Sequence, residues 1–369
     1  MKPKILMISG NSLGNGGMQA VFMSIIRVLG ARYQFDVIIF SDDDNYYKNE
    51  IEQQGKIFCI KYDFHATGVR SYMEMLKQSW NCYFGVRRII KENGPYVAVH
   101  NHSIVGACLL AAKHEGIKIR IAHSHLTANP ASRENWIRAS YRRFCIYMLN
   151  KYATKRIGCS DAACKWLFGN KEAEVVFNAI DLDRFSYRVD ERHNPSSGNG
   201  VINYVSIGRF SYQKNQDFVI DVFNKIHEVR PQDKLYLVGY GDDESKLRLK
   251  VTELRLDNAV YFYRHDISIP NLLTRMDILL FPSNYEGLGI VMIEAQAMGL
   301  YCFASTAVPR EANLGRCEFF SLSDGVEMWA SRIIDYVERR FVPKAAVDMS
   351  SYDIRSVGKR YDEIYSENR

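Results

Sequence analysis

Two glutamates with seven residues between them, Glu286 and Glu294, stand in the stretch Phe281-Pro282-Ser283-Asn284-Tyr285-Glu286-Gly287-Leu288-Gly289-Ile290-Val291-Met292-Ile293-Glu294. Carboxylates repel phosphate but accept hydrogen bonds from hydroxyl groups. Between the two acids, Gly287, Leu288, Gly289 and Ile290 read as a turn that opens a helix. Free amides and the helix dipole at such a start favour a phosphate. A ligand with hydroxyls on both sides of a phosphate fits the whole stretch, and a nucleotide-sugar is such a ligand. The alternative has Glu286 capping the helix and Glu294 on a solvated face. The apolar neighbours Ile293 and Ala295 weigh against that.

Other segments carry complementary chemistry. Gly208-Arg209-Phe210-Ser211-Tyr212-Gln213-Lys214-Asn215 follows a predicted strand and leads into a helix. Arg209 and Lys214 suit a diphosphate as fixed cations, or are simply two solvated charges. Val238-Gly239-Tyr240-Gly241 ends another strand with glycines that permit close backbone approach. Near the N-terminus, Gly14-Asn15-Gly16-Gly17-Met18-Gln19 is either a ligand-approaching turn or a tight strand–helix connection. None of these is G-x-G-x-x-G, which argues against a dinucleotide dehydrogenase. Histidines fall in two pairs at predicted strand ends, His100 with His102 and His123 with His125.

The elements that must position these residues alternate along the chain. Strands are predicted at 4–9, 36–40, 56–60, 97–100, 118–122, 156–159 and 175–177, with helices at 18–30, 73–93, 104–115, 136–152 and 162–168. The pattern pauses at 187–200, around Asn194-Pro195-Ser196-Ser197-Gly198-Asn199-Gly200. It restarts with strands at 204–207, 234–238, 260–263, 278–281 and 301–304, and helices at 216–229, 244–254, 290–298, 325–339 and 354–366. This alternation predicts an α/β fold with parallel sheets. With 369 residues two domains are expected: 1–186 and 201–350, with 187–200 as linker. Ligands of open parallel sheets bind outside the carboxyl ends of strands, so a cleft between two such sheets is the expected site.

With these motifs in place, the chain resembles the retaining family-4 glycosyltransferases of the GT-B fold, two Rossmann-like domains in tandem; the resemblance implies that 1–186 holds the acceptor, that 201–350 holds the nucleotide-sugar, and that a terminal helix within 353–369 rejoins the first domain. The resemblance spans nearly the whole chain and rests on the Glu286/Glu294 pair, the Gly16-Gly17-Met18-Gln19 turn, the Gly208-Arg209…Lys214 loop, the Gly239 turn and Ala295-Gln296-Ala297-Met298-Gly299. It implies that Arg209 and Lys214 bind the donor diphosphate, Glu286 the donor sugar and Glu294 the ribose. Amides of Gly287, Leu288, Gly289 and Ile290 face the distal phosphate, Gly16 and Gly17 approach phosphate or sugar, and Tyr263 and Arg264 hold the base. His125 is the preferred histidine beside the sugar, ahead of His123 and His102. Retention implies front-face displacement, with the leaving phosphate taking the acceptor proton. The segments Ala122–His125 and Gly158–Gly169 look most like capsule and exopolysaccharide enzymes. A UDP-sugar donor and a saccharide or lipid-linked saccharide acceptor follow from that likeness. No metal or other cofactor is expected. Two departures concern Asn215, where glycine is common, and Arg310, inserted between Pro309 and Glu311.

Charge and cysteines narrow the setting. The net charge of +6 is mild, yet the stretch Arg133–Arg156 holds seven basic residues against one acid. Trp136, Tyr141, Phe144 and Tyr147 are interleaved with them. This pattern suits peripheral contact with an anionic membrane, or an ordinary solvated helix, better than nucleic acid, for which no recognition motif is present. The eight cysteines include no C-x-x-C pair and are read as reduced thiols of a cytoplasmic protein. No apolar run approaches the ~20 residues of a membrane span. Two other readings compete: a non-hydrolysing sugar-nucleotide epimerase of the same architecture, and a catalytically silent nucleotide-sugar-binding protein.

Overall fold

The computed structural model describes residues 2–10, 12–14, 16–43, 46–61, 71–127, 136–187, 200–264 and 267–367. Asn15, Arg133 and most of the 187–200 linker lie outside the described residues. The chain divides into two compact units. The first begins β1 (Lys4–Ile8), α1 (Gly17–Leu29), β2 (Gln34–Ile39), α2 (Lys48–Glu52), β3 (Ile57–Cys59), α3 (Ser71–Asn93) and β4 (Tyr96–Asn101). It continues α4 (Ala107–His114), β5 (Ile119–Ser124), α5 (Trp136–Tyr152), β6 (Lys155–Gly158), α6 (Asp161–Phe168) and β7 (Glu174–Val175). The second contains β8 (Asn203–Ile207), α7 (Gln216–Val229), β9 (Lys234–Val238), α8 (Glu244–Glu253), β10 (Val260–Tyr263), α9 (Ile269–Leu273) and β11 (Ile278–Phe281). After these come α10 (Ile290–Ala297), β12 (Tyr301–Ser305), β13 (Cys317–Phe320) and α11 (Val326–Asp335). The last helix, α12 (Ile354–Ser366), belongs to the first unit.

Both sheets are parallel. The orders are β3-β2-β1-β4-β5-β6-β7 and β10-β9-β8-β11-β12-β13. Each is therefore a doubly wound sheet whose strand order reverses once, between β1 and β4 and between β8 and β11. The run Lys4-Ile5-Leu6-Met7-Ile8 shows why: both faces of β1 are buried, so apolar residues are continuous rather than alternating. Ile5 and Met7 pack with Phe22 and Ile26 of α1 and Tyr361 and Tyr365 of α12. Leu6 and Ile8 pack on the opposite face with Val86 of α3, Leu109 of α4 and Leu149 of α5. Gly358 lets α12 lie against α1, since a Cβ there would meet Val28 at 2.8 Å. In the second unit, Tyr204, Phe223, Leu235, Phe303, Trp329 and Tyr336 centre one core.

Most predicted elements match within a few residues, and four differences have physical causes. The helix predicted from 104 begins at Ala107. Before it, the Asn101 Oδ1 accepts from the Ser103 N–H (3.0 Å), and the Ser103 Oγ accepts from the Val105 N–H (3.2 Å), which holds this stretch in turns. The helix predicted to 339 ends its α-geometry at Asp335 and passes into a π-helical turn, Tyr336–Arg340. The edge strand β13 is half-buried at every position, so no alternation marks it in sequence. Residues from Ile180 belong to the second unit, and the Tyr187 N–H donates to the Ala297 carbonyl there (3.0 Å).

A buried carboxylate pins the first sheet. Asp36 accepts from the Tyr96 hydroxyl (2.6 Å), the Lys56 N–H (2.8 Å) and the Gln34 amide (3.2 Å). Asp36→Ala leaves buried donors unsatisfied and should cost about 2–4 kcal/mol. A lowered urea-unfolding midpoint with unchanged far-ultraviolet circular dichroism in buffer is the expected result.

Candidate active site

The reversal of strand order in the second sheet sets β8 beside β11, with Tyr204 opposite Ile278 and Val205 opposite Leu279. The loops leaving their carboxyl ends are the two segments whose charges stood out in sequence. Side-chain and backbone bonds tie them together. The Asn284 N–H donates to the Gln213 carbonyl (2.8 Å) and its side-chain amide to the Tyr212 carbonyl (2.6 Å). The Gln213 amide returns a bond to the Tyr285 carbonyl (3.2 Å), and Asn215 Nδ2 donates to the Pro282 carbonyl (3.1 Å). Asn215 itself is left-handed, at φ 56° and ψ 43°. That explains the first departure: asparagine tolerates this conformation, and its amide supplies a bond that glycine lacks.

This arrangement brings Lys214 onto Glu286. Their Nζ and Oε1 atoms are 2.6 Å apart, and the ammonium also lies 4.8 Å from the centre of the Phe281 ring. Glu286 is buried. The carboxylate faces the lysine, and the N-cap of α10 is Gly289, which carries no side chain. Gly289, at φ +89°, makes the turn into α10. The helix thus opens at Ile290 behind a glycine N-cap, a start suited to an anion.

Glu294 lies further along α10. It keeps some solvent contact and has no hydrogen-bond or ion-pair partner among the described residues. The dense protein around it still dominates: desolvation pushes its carboxyl up to about 7, against the opposing charges of Arg184 and Lys214. Arg209 is exposed and makes no ion pair among the described residues. The glycines at 239 and 241 have a structural explanation as well. A Cβ on Gly239 would sit 2.0 Å from the Gly208 carbonyl oxygen, and one on Gly241 2.2 Å from that of Phe210. Both are needed for the two loops to pack. Tyr263 ends β10 with its ring 6.0 Å from that of Tyr236, and the Arg264 guanidinium is largely exposed, 3.9 Å from Glu244.

In the first unit, Gly16 precedes α1 in extended backbone, and no side chain caps that helix. The four histidines form one block. β4 and β5 are parallel neighbours, and residues two apart share a sheet face. His100 Nε2 lies 3.1 Å from His123 Nδ1, and His102 Nδ1 2.6 Å from His125 Nε2. Each pair is nearly coplanar, at 11°. The pairs stack, with centroids 4.2 Å apart for His100 and His102 and 4.0 Å for His123 and His125. The Tyr365 hydroxyl meets His100 Nδ1 at 2.7 Å, and Phe22 sets its ring edgewise on His102. Sequence spacing showed the two pairs but not that all four rings touch. Nitrogens of His100, His102 and His123 lie within 4.8 Å of one another, the one such grouping among the described residues. The rings pair edge to edge and stack, so a hydrogen-bonded assembly fits them better than a cation site.

Burial lowers the basicity of all four imidazoles, His125 to about 4. Unfolded histidine titrates near ~6.5, so the unfolded chain binds more protons below that pH. The block's contribution is complete above about 6.5 and is lost as pH falls toward the folded values. Glu294 acts in the opposite sense, because its acid form is favoured in the folded chain, but it is one group against four. The urea midpoint should therefore fall between pH 7.5 and 5, and His125→Gln should flatten part of that slope. A midpoint constant over this range would contradict the neutral block.

With this geometry established, known proteins can be compared. The family model described as Glycosyltransferase Family 4 matches residues 15–184, and that described as Glycosyl transferases group 1 matches residues 190–347. A Bacillus subtilis glycosyltransferase, EpsF, is 29% identical over 339 residues, covering 88% of this chain and 85% of that one. The capsular polysaccharide biosynthesis glycosyltransferase CapH of Staphylococcus aureus is 22% identical over 364 residues, covering 96% of each. The crystal structure of Anabaena HepE in complex with UDP and glucose superposes with a TM-score of 0.72 at 17% identity, covering 99% of this chain and 100% of that one. Two parallel-sheet units, the paired loops at the second sheet's reversal point and these matches agree: the chain belongs to the family-4 glycosyltransferases of the GT-B fold.

Proposed function

We propose that this glycosyltransferase of polysaccharide biosynthesis moves a sugar from a UDP-sugar, with retention, to a lipid-linked saccharide. The observation that carries the donor assignment is the Lys214–Glu286 pair beside a glycine-led helix start, with the partnerless Glu294 further along the same helix. UDP and glucose in HepE, and the name of an Escherichia coli relative, a UDP-Gal:alpha-D-GlcNAc-diphosphoundecaprenol alpha-1,3-galactosyltransferase, 24% identical over 226 residues, support the choice of donor and acceptor.

The chemistry follows from the charges. A donor diphosphate competes with Glu286 for Lys214, gains Arg209, and meets the amides of Gly287, Leu288, Gly289 and Ile290. Fixed cations and dipoles then stabilise the leaving phosphate without a metal ion. Glu286, exchanging its lysine for sugar hydroxyls, holds the transferred sugar, and Glu294 takes the ribose hydroxyls. Tyr263 and Arg264 flank the base. Gly16 and Gly17 leave room beside the phosphate or sugar, and the neutral His125 faces the sugar. In a front-face displacement the leaving phosphate oxygen accepts the acceptor proton, so no protein base is required.

Because hydroxyls donate to the carboxylate form, UDP-sugar affinity should fall as pH drops through about 7, the value to which Glu294 is raised. Glu294→Ala should weaken donor binding by roughly 10- to 100-fold, as expected for lost bonds to a charged acceptor, and remove that pH dependence. Calorimetric titration measures both, and wild-type affinity in the variant would end the ribose assignment. Mass analysis of products with and without a lipid-linked acceptor separates transfer from epimerisation, which needs no acceptor.

The acceptor side rests on α5 and α3. Among the described residues no helix is long and apolar enough to cross a membrane. Yet Trp136, Phe144 and Tyr147 are exposed on α5, and Trp80 and Phe84 are exposed and stacked on α3. The two helices are joined by the Tyr141 hydroxyl, which donates to the Met75 carbonyl (3.0 Å). Arg138, Arg142, Arg143 and Lys151 accompany the α5 aromatics, and α5 carries no acid. Aromatics and cations together suit the inner face of an anionic cytoplasmic membrane. Replacing Arg138, Arg142 and Arg143 with Gln should release the protein from phosphatidylglycerol vesicles in a sedimentation assay. Undiminished binding would end the membrane assignment.

A further inference from the structure

Arg310, the residue inserted between Pro309 and Glu311, takes no part in the donor contacts proposed above, yet its segment is built into the same group of loops. β12 lies next to β11 in the second sheet, and the chain leaving it runs against the loop that carries Glu286. The Ser305 Oγ donates to the Ser283 carbonyl. The Val308 N–H donates to the Ser305 carbonyl (3.1 Å), which turns the chain. Val308 then closes on Gly289, where a Cβ would meet its Cγ1 at 3.3 Å. The segment thus touches both ends of the 283–289 loop, and Arg310 opens the next short turn, Arg310–Ala312. The guanidinium carbon lies 3.9 Å from the centre of the Phe319 ring on β13, a contact in which the ring face attracts the cation. Phe319 is the register partner of Ala304 on β12, so the sheet fixes the ring that backs the arginine. Arg310 is nonetheless exposed, and among the described residues its guanidinium makes no hydrogen bond and no ion pair. The acid beside Phe319, Glu318, is engaged by Arg340 (3.1 Å) and by the Tyr301 hydroxyl (3.2 Å).

We propose that Arg310, backed by Phe319, is a specificity-determining residue that binds the carboxylate of an acidic sugar, a uronic acid being the simplest case. The proposal rests on the reading of residues 283–290 as the sugar-holding side of the donor site, and extends that reading from hydroxyls to a charged substituent. Glu286 and Glu294 accept from hydroxyls but repel a carboxylate. Arg209 and Lys214 are committed to the diphosphate. Arg310 is the cation on the β12 side of the same segment. Contact with a ring occupies the guanidinium's face and leaves its N–H donors, which lie in its plane, for another group. Those donors match both oxygens of a carboxylate at once. A lysine has the charge but neither the fork nor the flat face. The carboxylate can come from two sources, the transferred sugar or the acceptor saccharide, and the chemistry at Arg310 is the same for both.

Binding measurements on the full chain test this with two matched pairs of probes. Calorimetric titration with UDP-glucose and UDP-glucuronic acid, with UDP as reference, examines the donor source. Ligand-observed NMR with methyl glucoside and methyl glucuronide, UDP being present, examines the acceptor source. The wild type should prefer the acidic member of one pair by roughly 10- to 100-fold, as for hydrogen bonds to a charged group. The pair that shows the preference identifies the source. Arg310→Gln should abolish the preference while leaving the affinity for UDP unchanged, and Arg310→Lys should restore only part of it. Phe319→Leu keeps the arginine without its backing and should weaken the preference. No preference in either pair would overturn the inference, as would one that survives Arg310→Gln. Loss of UDP affinity in Arg310→Gln would also overturn it, by making Arg310 a phosphate ligand. Failure of the donor reading looks different: the wild type then does not bind UDP, and the glycoside pair alone decides the role of Arg310.

Discussion

The candidate site of this enzyme depends on β8 lying next to β11. In a parallel sheet wound outward in both directions, the connections on either side of the reversal leave toward opposite faces. A gap is left at the carboxyl ends of the two central strands, and their loops line it. Here the loops are bolted together by four hydrogen bonds through Tyr212, Gln213, Asn215 and Asn284. Only with that bracing does Lys214 reach Glu286, and only then does the first turn of α10 stand beside both.

The Lys214–Glu286 pair has a second consequence. A carboxylate as buried as Glu286 is costly to desolvate, and removing its partly exposed lysine partner leaves an uncompensated charge. The pair therefore keeps the buried carboxylate tolerable. In the proposed donor site, a diphosphate could take the lysine only if sugar hydroxyls satisfied the carboxylate in its place. Under that proposal, recognition of phosphate and sugar is coupled through one ion pair. Glu294 has no such partner, which is why burial leaves it with a raised carboxyl pKa.

The first unit solves a different problem. Four imidazoles on adjacent strands would repel one another if charged. They are packed instead as two neutral, nearly coplanar pairs, backed by Phe22 on one side and the α12 tyrosines on the other. Neutrality here is a product of packing, since in water each ring would titrate near ~6.5.

Much of this could be read before folding. Continuous apolar runs such as Lys4–Ile8 require burial on both faces, so parallel strands and the α/β class follow from residue order. The glycines of 286–294 specify a turn and a helix start, because those properties are local. The short edge strand Cys317–Phe320 was not legible, since half-buried positions leave no periodicity. Nor was the role of Gly239 and Gly241, which depends on the neighbouring loop's carbonyls. The 72-residue reach from Lys214 to Glu286 and the pairing of His102 with His125 were likewise decided only by tertiary structure. Sequence determines what each residue is able to donate, accept or bury; which atoms come within 3 Å depends on strand order, and strand order is a property of the whole sheet.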